Sequence, residues 1–213
     1  SRIRMGAFSY AGQVCISVQR VFIHESRYDE VKTKLIAAAA SLKPGDPMDP
    51  STELGPMIDE KASHRAEEWV ATAEREGATI LTGGHARDRF FEPTVIENAR
   101  RESFVCSREA FAPLVTIFPV KSFSEGISAL NDSDYGLQAG IFTNRLENAL
   151  TAFERVEAGG VIINDVPTYR IDHMPYGGVK SSGLSREGVR YAIEDMTEPR
   201  LMVFNRLESQ RLP

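Results

Sequence analysis

Tyr10-Ala11-Gly12-Gln13-Val14-Cys15-Ile16-Ser17-Val18-Gln19-Arg20 runs directly into the apolar stretch Val21, Phe22 and Ile23. The small residues around Gly12 read as a turn, and the apolar residues after Arg20 as a strand. Such a turn delivers the Cys15 thiol to the start of a strand or short helix, where backbone N–H groups aim at the sulfur. The field of a helix N-terminus at that point lowers a thiol pKa and raises the fraction of thiolate, the nucleophilic form. Taken alone, a free cysteine is more often a small buried hydrophobe than a nucleophile.

Downstream, Ser26 is expected to cap a helix over residues 26–42. Tyr28, Val31, Leu35 and Ile36 share a face there, and Pro44-Gly45 stops it. A second helix is expected over 60–76, where Ala62, Ala66, Trp69, Val70 and Ala73 recur at helical spacing before Gly77. Short apolar runs at 79–81, 114–120, 139–143 and 160–164 read as buried strands. Helices at 124–130, 146–156 and 186–195 lie among them. This alternation predicts an α/β fold, a mostly parallel twisted sheet with right-handed crossovers flanked by helices. Residues 200–207 alternate weakly and read as an edge strand that needs a partner. The irregular stretches 44–56 and 167–188 are long enough to carry function.

At 213 residues and 42% hydrophobic content the chain can bury one full core. Its net charge of -5 comes from interspersed charges, which argues against nucleic acid or an anionic membrane as partner. No apolar run reaches the length of a membrane span. Two cysteines are too few for a disulfide framework, so a reducing cytoplasm is the expected compartment. The opening residues 1–5 are polar and basic and are expected to lead straight into the turn; the chain reads as a piece of a longer polypeptide.

The run Gly12-Gln13-Val14-Cys15 with Gln19-Arg20 closely resembles the active-cysteine motif of the aldehyde dehydrogenase superfamily. The resemblance continues in order over nearly the whole chain: Leu54-Gly55-Pro56, Glu109-Ala110-Phe111-Ala112-Pro113, Gly159-Gly160-Val161 with Asn164, and Pro175-Tyr176-Gly177-Gly178. It implies a catalytic domain over residues 1–198 and a C-terminal oligomerisation strand or tail over 199–213. The domain that binds most of the cofactor would be absent from this chain.

By that resemblance, Cys15 is expected to attack an aldehyde carbonyl to give a thiohemiacetal, then a thioester that water hydrolyses to the acid. Glu109 is similar to the acid that holds the nicotinamide ribose of NAD or NADP, and Phe111 to the aromatic beside the nicotinamide. Arg108 and Ala112 depart from the usual acid and glycine of that motif. Tyr176 matches an aromatic that lines the substrate tunnel. Arg170 and His173 fall where members vary with substrate, so a cation there can read an anionic tail on the aldehyde, or simply pair with Asp172. The family's general base precedes its cysteine, so Glu53 in Glu53-Leu54-Gly55 is a decoy. The chain alone is expected to be inactive, and the complete protein a homo-oligomer.

No phosphate-binding loop or G-x-G-x-x-G is present, and His24, His64, His85 and His173 are too scattered for a metal site. Two other classes remain open at this stage. A non-catalytic assembly module would need neither Cys15 nor Glu109, and a cysteine hydrolase would need a histidine within reach of the thiol.

Overall fold

The computed structural model describes residues 1–205. Its elements in chain order are α1 (Arg2–Phe8), a 3-10 turn (Ser9–Gly12), β1 (Arg20–His24), α2 (Glu25–Ala40), α3 (Glu60–Arg75), β2 (Thr79–Thr82), β3 (Ala86–Arg87), β4 (Phe90–Phe91) and β5 (Thr94–Glu97). There follow α4 (Phe104–Ser107), β6 (Leu114–Val120), α5 (Phe123–Asn131), β7 (Tyr135–Gly136), β8 (Gln138–Ile141), α6 (Leu146–Arg155), β9 (Gly160–Ile163), β10 (Val179–Lys180) and α7 (Val189–Met196).

The main sheet has the order β1-β6-β5-β2. β6 pairs in parallel with both β1 and β5, while β2 joins as an antiparallel edge. Because alternate side chains point to opposite faces of a strand, β5 and β6 feed two cores at once. Ile96 and Leu114 face α3, joining Ala66, Val70 and Ala73. Val95, Val115 and Ile117 face the other way, onto Ala7 and Phe8 of α1 and Leu35 and Ala39 of α2. Burial on both faces explains why β6 reads as a continuous apolar run.

The four strands expected in one sheet divide between two. β8 and β9 pair in parallel with each other alone, and their core is Ile127, Ala139, Ile141, Ala152 and Val156 under α5 and α6. A cleft of about 900 Å³, lined by Arg20, Val21 and Phe22 of β1 and Gln138–Ile141 of β8, separates them from the main sheet. The strand β5 was not legible: Thr94, Val95 and Ile96 between Pro93 and Glu97 are too short a run to show periodicity, and their burial comes from β6 and β2 on either side.

Local departures have local causes. The cap of α2 is His24, not Ser26, because β1 runs straight into the helix; its Nδ1 accepts the Ser26 N–H at 3.3 Å. Residues 1–5 form most of α1 instead of a polar lead. Phe8 and Ala7 are buried, and Arg2 makes a bidentate pair with Asp165. α7 starts at Val189 because Glu187 is held in a two-bond bridge with Tyr176. Residues 200–205 form no strand, and Leu201, Met202, Val203 and Phe204 are exposed. The remainder of that expected strand, Arg206 and Leu207, lies outside the described residues.

Candidate active site

α1 ends on the buried Phe8, and the chain then reverses through three left-handed residues, Tyr10 (φ 53°), Ala11 (φ 55°) and Gly12 (φ 67°). For the two non-glycine residues this costs about 1–2 kcal/mol each. Burial of Ala11 in the α3-side core offsets part of it. Gln13 adds more: its side-chain carbonyl accepts the Ile58 N–H at 2.8 Å, and its backbone N–H donates to the Tyr10 carbonyl at 3.1 Å.

Cys15 sits at the tip of the turn that follows, closed by the Ser17 N–H to the Val14 carbonyl at 2.9 Å. The far side is tied to α1, with the Val18 N–H on the Gly6 carbonyl and the Ser17 hydroxyl on the Gly6 and Ala7 carbonyls. The thiol is exposed. No helix begins here, so the expected helix field on the sulfur is absent; the next element is the strand β1.

A second irregular loop meets this turn. The chain leaves α4 extended at Arg108, passes Glu109 and the buried Ala110, and enters the left-handed region at Phe111 (φ 48°). Ala112 keeps an ordinary φ and is buried, so its methyl group is accommodated where related motifs carry glycine. Gly12 lies against the Ala112 carbonyl; a Cβ there would fall 2.1 Å from that oxygen. Between the loops is a cavity of about 50 Å³ lined by Gly12, Cys15, Gln19, Glu109, Phe111 and Ala112, among others. Thiol, carboxylate and ring, far apart in sequence, thus share one small space.

The larger cleft also reaches Cys15 and Glu109, and Tyr176 forms part of its wall. Burial pushes the Tyr176 phenol above its ordinary value, and negative charge on Cys15 acts in the same direction. Arg170 and His173 do not line the cleft. Arg170 lies behind the wall with its guanidinium 4.3 Å from the Tyr176 ring centroid, and it pairs at 2.8 Å with Glu187, which does line the cleft. Its partner is therefore not the neighbouring Asp172: the Tyr176–Glu187 bridge brings Glu187 alongside. His173 is exposed.

Cys106 contrasts with Cys15. It is buried, and burial pushes its thiol up to about 11. At pH 8 only roughly one molecule in a thousand would carry that thiolate. Brief treatment with iodoacetamide at pH 8 should therefore alkylate Cys15 and leave Cys106 unmodified, as peptide mass mapping would read. Equal labelling of the two would contradict the burial of Cys106.

Among the described residues no histidine hydrogen-bonds Cys15. His24 contacts Ser26, while His64 and His85 lie near Glu67, so the cysteine-hydrolase reading has no base. No metal-holding group occurs among the described residues. Glu53 pairs with Arg4 at 2.6 Å and lines neither cavity. Two contributors were missed from sequence, Glu187 and Gln19. Gln19 is quoted in the cysteine motif, and its one signal is a polar residue beside a buried strand.

The Glu109 carboxylate is exposed and, among the described residues, pairs with no cation and accepts no hydrogen bond. An unpaired carboxylate at a cavity it shares with an aromatic residue can accept from a pair of hydroxyls on a ligand lying against the ring.

A sequence model described as the aldehyde dehydrogenase family matches residues 1–202. The chain is 49% identical over 205 residues to a 3-sulfolactaldehyde dehydrogenase of Priestia aryabhattai, covering 96% of this chain and 43% of that protein. It superposes on crystallised aldehyde dehydrogenase 21 from Physcomitrella patens, in complex with its reaction product succinate, with TM-score 0.95 and 45% identity. That match covers 98% of this chain and 44% of the other. A glyceraldehyde-3-phosphate dehydrogenase from Methanocaldococcus jannaschii, complexed with NADP, matches with TM-score 0.88 and 41% identity over 92% of this chain and 42% of its own. The chain thus spans rather less than half the length of these relatives.

Proposed function

The chain belongs to the aldehyde dehydrogenase family, and on that premise we propose that it carries the nucleophile of an enzyme that oxidises an aldehyde to a carboxylic acid. The observation that carries the reading is the meeting of Cys15, Glu109 and Phe111 at one cavity.

Cys15 attacks the aldehyde carbon as thiolate, forming a C–S bond while the carbonyl electron pair moves to oxygen. Among the described residues no acceptor in the chain takes the Cys15 backbone N–H, so this donor is free to stabilise that oxygen. NAD or NADP, when bound, supplies the hydride acceptor. Glu109 would take the ribose hydroxyls and Phe111 would pack beside the nicotinamide ring of that group, both at the cavity that Cys15 also lines. Loss of hydride from the former aldehyde carbon lets the oxygen pair re-form the C=O bond and leaves a thioester on Cys15; water then cleaves its C–S bond, releasing the acid and restoring the thiolate. By resemblance to the family, whose general base precedes its cysteine, the base for that step is assigned outside this chain; the small cavity offers no carboxylate but Glu109 and no imidazole, and His24, Glu157 and Glu187 line only the larger cleft. The 213-residue chain alone is accordingly expected to show no turnover.

Three of the relatives suggest a substrate class, although a lactaldehyde dehydrogenase of Methanococcus maripaludis and a betaine aldehyde dehydrogenase of Staphylococcus aureus are named for a neutral and a cationic aldehyde. 3-Sulfolactaldehyde, glyceraldehyde 3-phosphate and the aldehyde corresponding to succinate are all short and anionic at the end remote from the carbonyl. Arg170 stacks on the Tyr176 ring from behind the cleft wall, and its exposed pair with Glu187 is weak enough for a substrate anion to displace. Two free thiols suit a reducing cytoplasm, and the exposed residues Leu201–Phe204 suit pairing with another copy of the protein. No helix among the described residues is long and apolar enough to cross a membrane.

The test is an aldehyde panel assayed on the complete enzyme with NAD and with NADP. Anionic short-chain aldehydes should exceed neutral ones of equal length by about 100-fold in kcat/KM, since one well-placed charge-assisted contact contributes about 1.5–3 kcal/mol. Arg170→Ala should remove most of that margin and leave neutral substrates unchanged. Equal rates for both classes would eliminate the anionic assignment, and turnover by the 213-residue chain alone would eliminate the external base.

A further inference from the structure

Among the described residues the Glu109 carboxylate makes no hydrogen bond and no ion pair, so its position is set by the backbone that carries it. That backbone belongs to no strand or helix. What holds it is the side chain of Gln19. Its amide nitrogen donates to the Val105 carbonyl at 2.9 Å and the Arg108 carbonyl at 2.7 Å, and its amide oxygen accepts the Ala110 N–H at 3.0 Å.

Three features make this a clamp and not incidental contact. A primary amide is the only side-chain group of that length with two donors and an acceptor on one plane, and both kinds are used here. The carbonyl of Ala110 is taken by Arg65 at 2.9 Å, whose guanidinium sits 5.3 Å from the Trp69 ring centroid, so the residue between Glu109 and Phe111 is held from both sides. Gln19 is itself fixed, because its backbone carbonyl accepts the Thr116 N–H at 2.8 Å and the buried Thr116 hydroxyl at 3.0 Å.

Gln19 follows Cys15 on the segment that Ser17 and Val18 strap to α1. We propose that Gln19 is a positioning residue that sets the spacing between the Cys15 thiol and the nucleotide-binding carboxylate of Glu109, while holding Phe111 in its left-handed conformation. This rests on the role given above to Glu109. The thiol turn keeps its own anchors without Gln19, so loss of the clamp acts on the nucleotide side of the site alone.

In the complete enzyme, Gln19→Met keeps the side-chain length and removes all three bonds. It should raise the KM for the nicotinamide nucleotide by about 10- to 100-fold, the order expected from a displacement of about 1 Å. The KM for aldehyde and the rate of Cys15 alkylation without nucleotide should stay within about twofold. The double variant Gln19→Met/Glu109→Gln should be no weaker toward nucleotide than Glu109→Gln alone, because both changes act through one carboxylate. In the 213-residue chain, hydrogen exchange at the Ala110 amide should quicken in Gln19→Met.

Faster exchange with an unchanged nucleotide KM would overturn the proposal while leaving the clamp a structural fact. Effects that multiply in the double variant would overturn it as well. A Glu109→Gln enzyme with unaltered nucleotide KM would remove the Glu109 reading, and this proposal with it. Should Gln19→Met not fold, Gln19→Glu keeps the acceptor for Ala110 and loses both donors, and the same comparisons apply.

Discussion

Cys15→Ala in the complete enzyme will lower kcat by about 10,000-fold or more, the scale seen when a covalent nucleophile is removed, while leaving the melting temperature unchanged. The two halves of this result have separate physical origins. The thiol is exposed and, among the described residues, makes no hydrogen bond, so its removal opens no cavity and breaks no contact; the stability change should stay within about 0.5 kcal/mol. The chemistry, by contrast, has no substitute. The other cysteine is buried and held protonated, and no other cysteine, lysine or histidine lines the small cavity.

Cys106→Ala should invert the pattern, costing about 1–2 kcal/mol through a small buried void while kcat is preserved. Thermal melts and steady-state rates on the two variants separate the cases. Residual turnover above about 1% in Cys15→Ala would end the assignment of Cys15 as nucleophile.

The site was legible where the information is local and illegible where the fold supplies it. Cys15 and Glu109 could be named because each lies in a contiguous motif. Helices α3 and α6 could be drawn because their apolar spacing is continuous, with Asp59 capping the first. The bonds of Gln19 reach residues 86 to 91 positions away, and nothing in its neighbourhood announces them. For Arg170 the sequence offers an anionic substrate tail or the neighbouring Asp172, whereas the Tyr176–Glu187 bridge selects a partner 17 residues on. The division of the strands between two sheets has the same cause: four apolar runs predict strands, but not which edges hydrogen-bond and which enclose a cleft. The α1 helix escaped notice because its burial depends on β6 and α2, which come later in the chain.

Gly12→Ala will be the most damaging single-methyl change near the site. Alanine at φ +67° costs about 1–2 kcal/mol for the left-handed backbone alone. The added Cβ would also stand 2.1 Å from the Ala112 carbonyl oxygen and 2.8 Å from the Pro113 nitrogen, both backbone atoms that cannot rotate away. One of the two loops must move. The total loss should exceed about 3 kcal/mol, roughly 6–12 °C in melting temperature for a domain of this size. Gly77→Ala is the internal control: it too has a left-handed φ, +105°, but a Cβ there meets nothing within 4 Å, so it should cost only about 1–2 kcal/mol. The difference between the two isolates the close approach of the cysteine loop to the Glu109 loop. Because that approach sets how thiol and carboxylate face each other, Gly12→Ala should depress kcat and raise nucleotide KM together even at temperatures where it stays folded. Melting curves for the two glycine variants that coincide would mean the loops tolerate separation, and the shared cavity would lose its claim as the organising feature of the site.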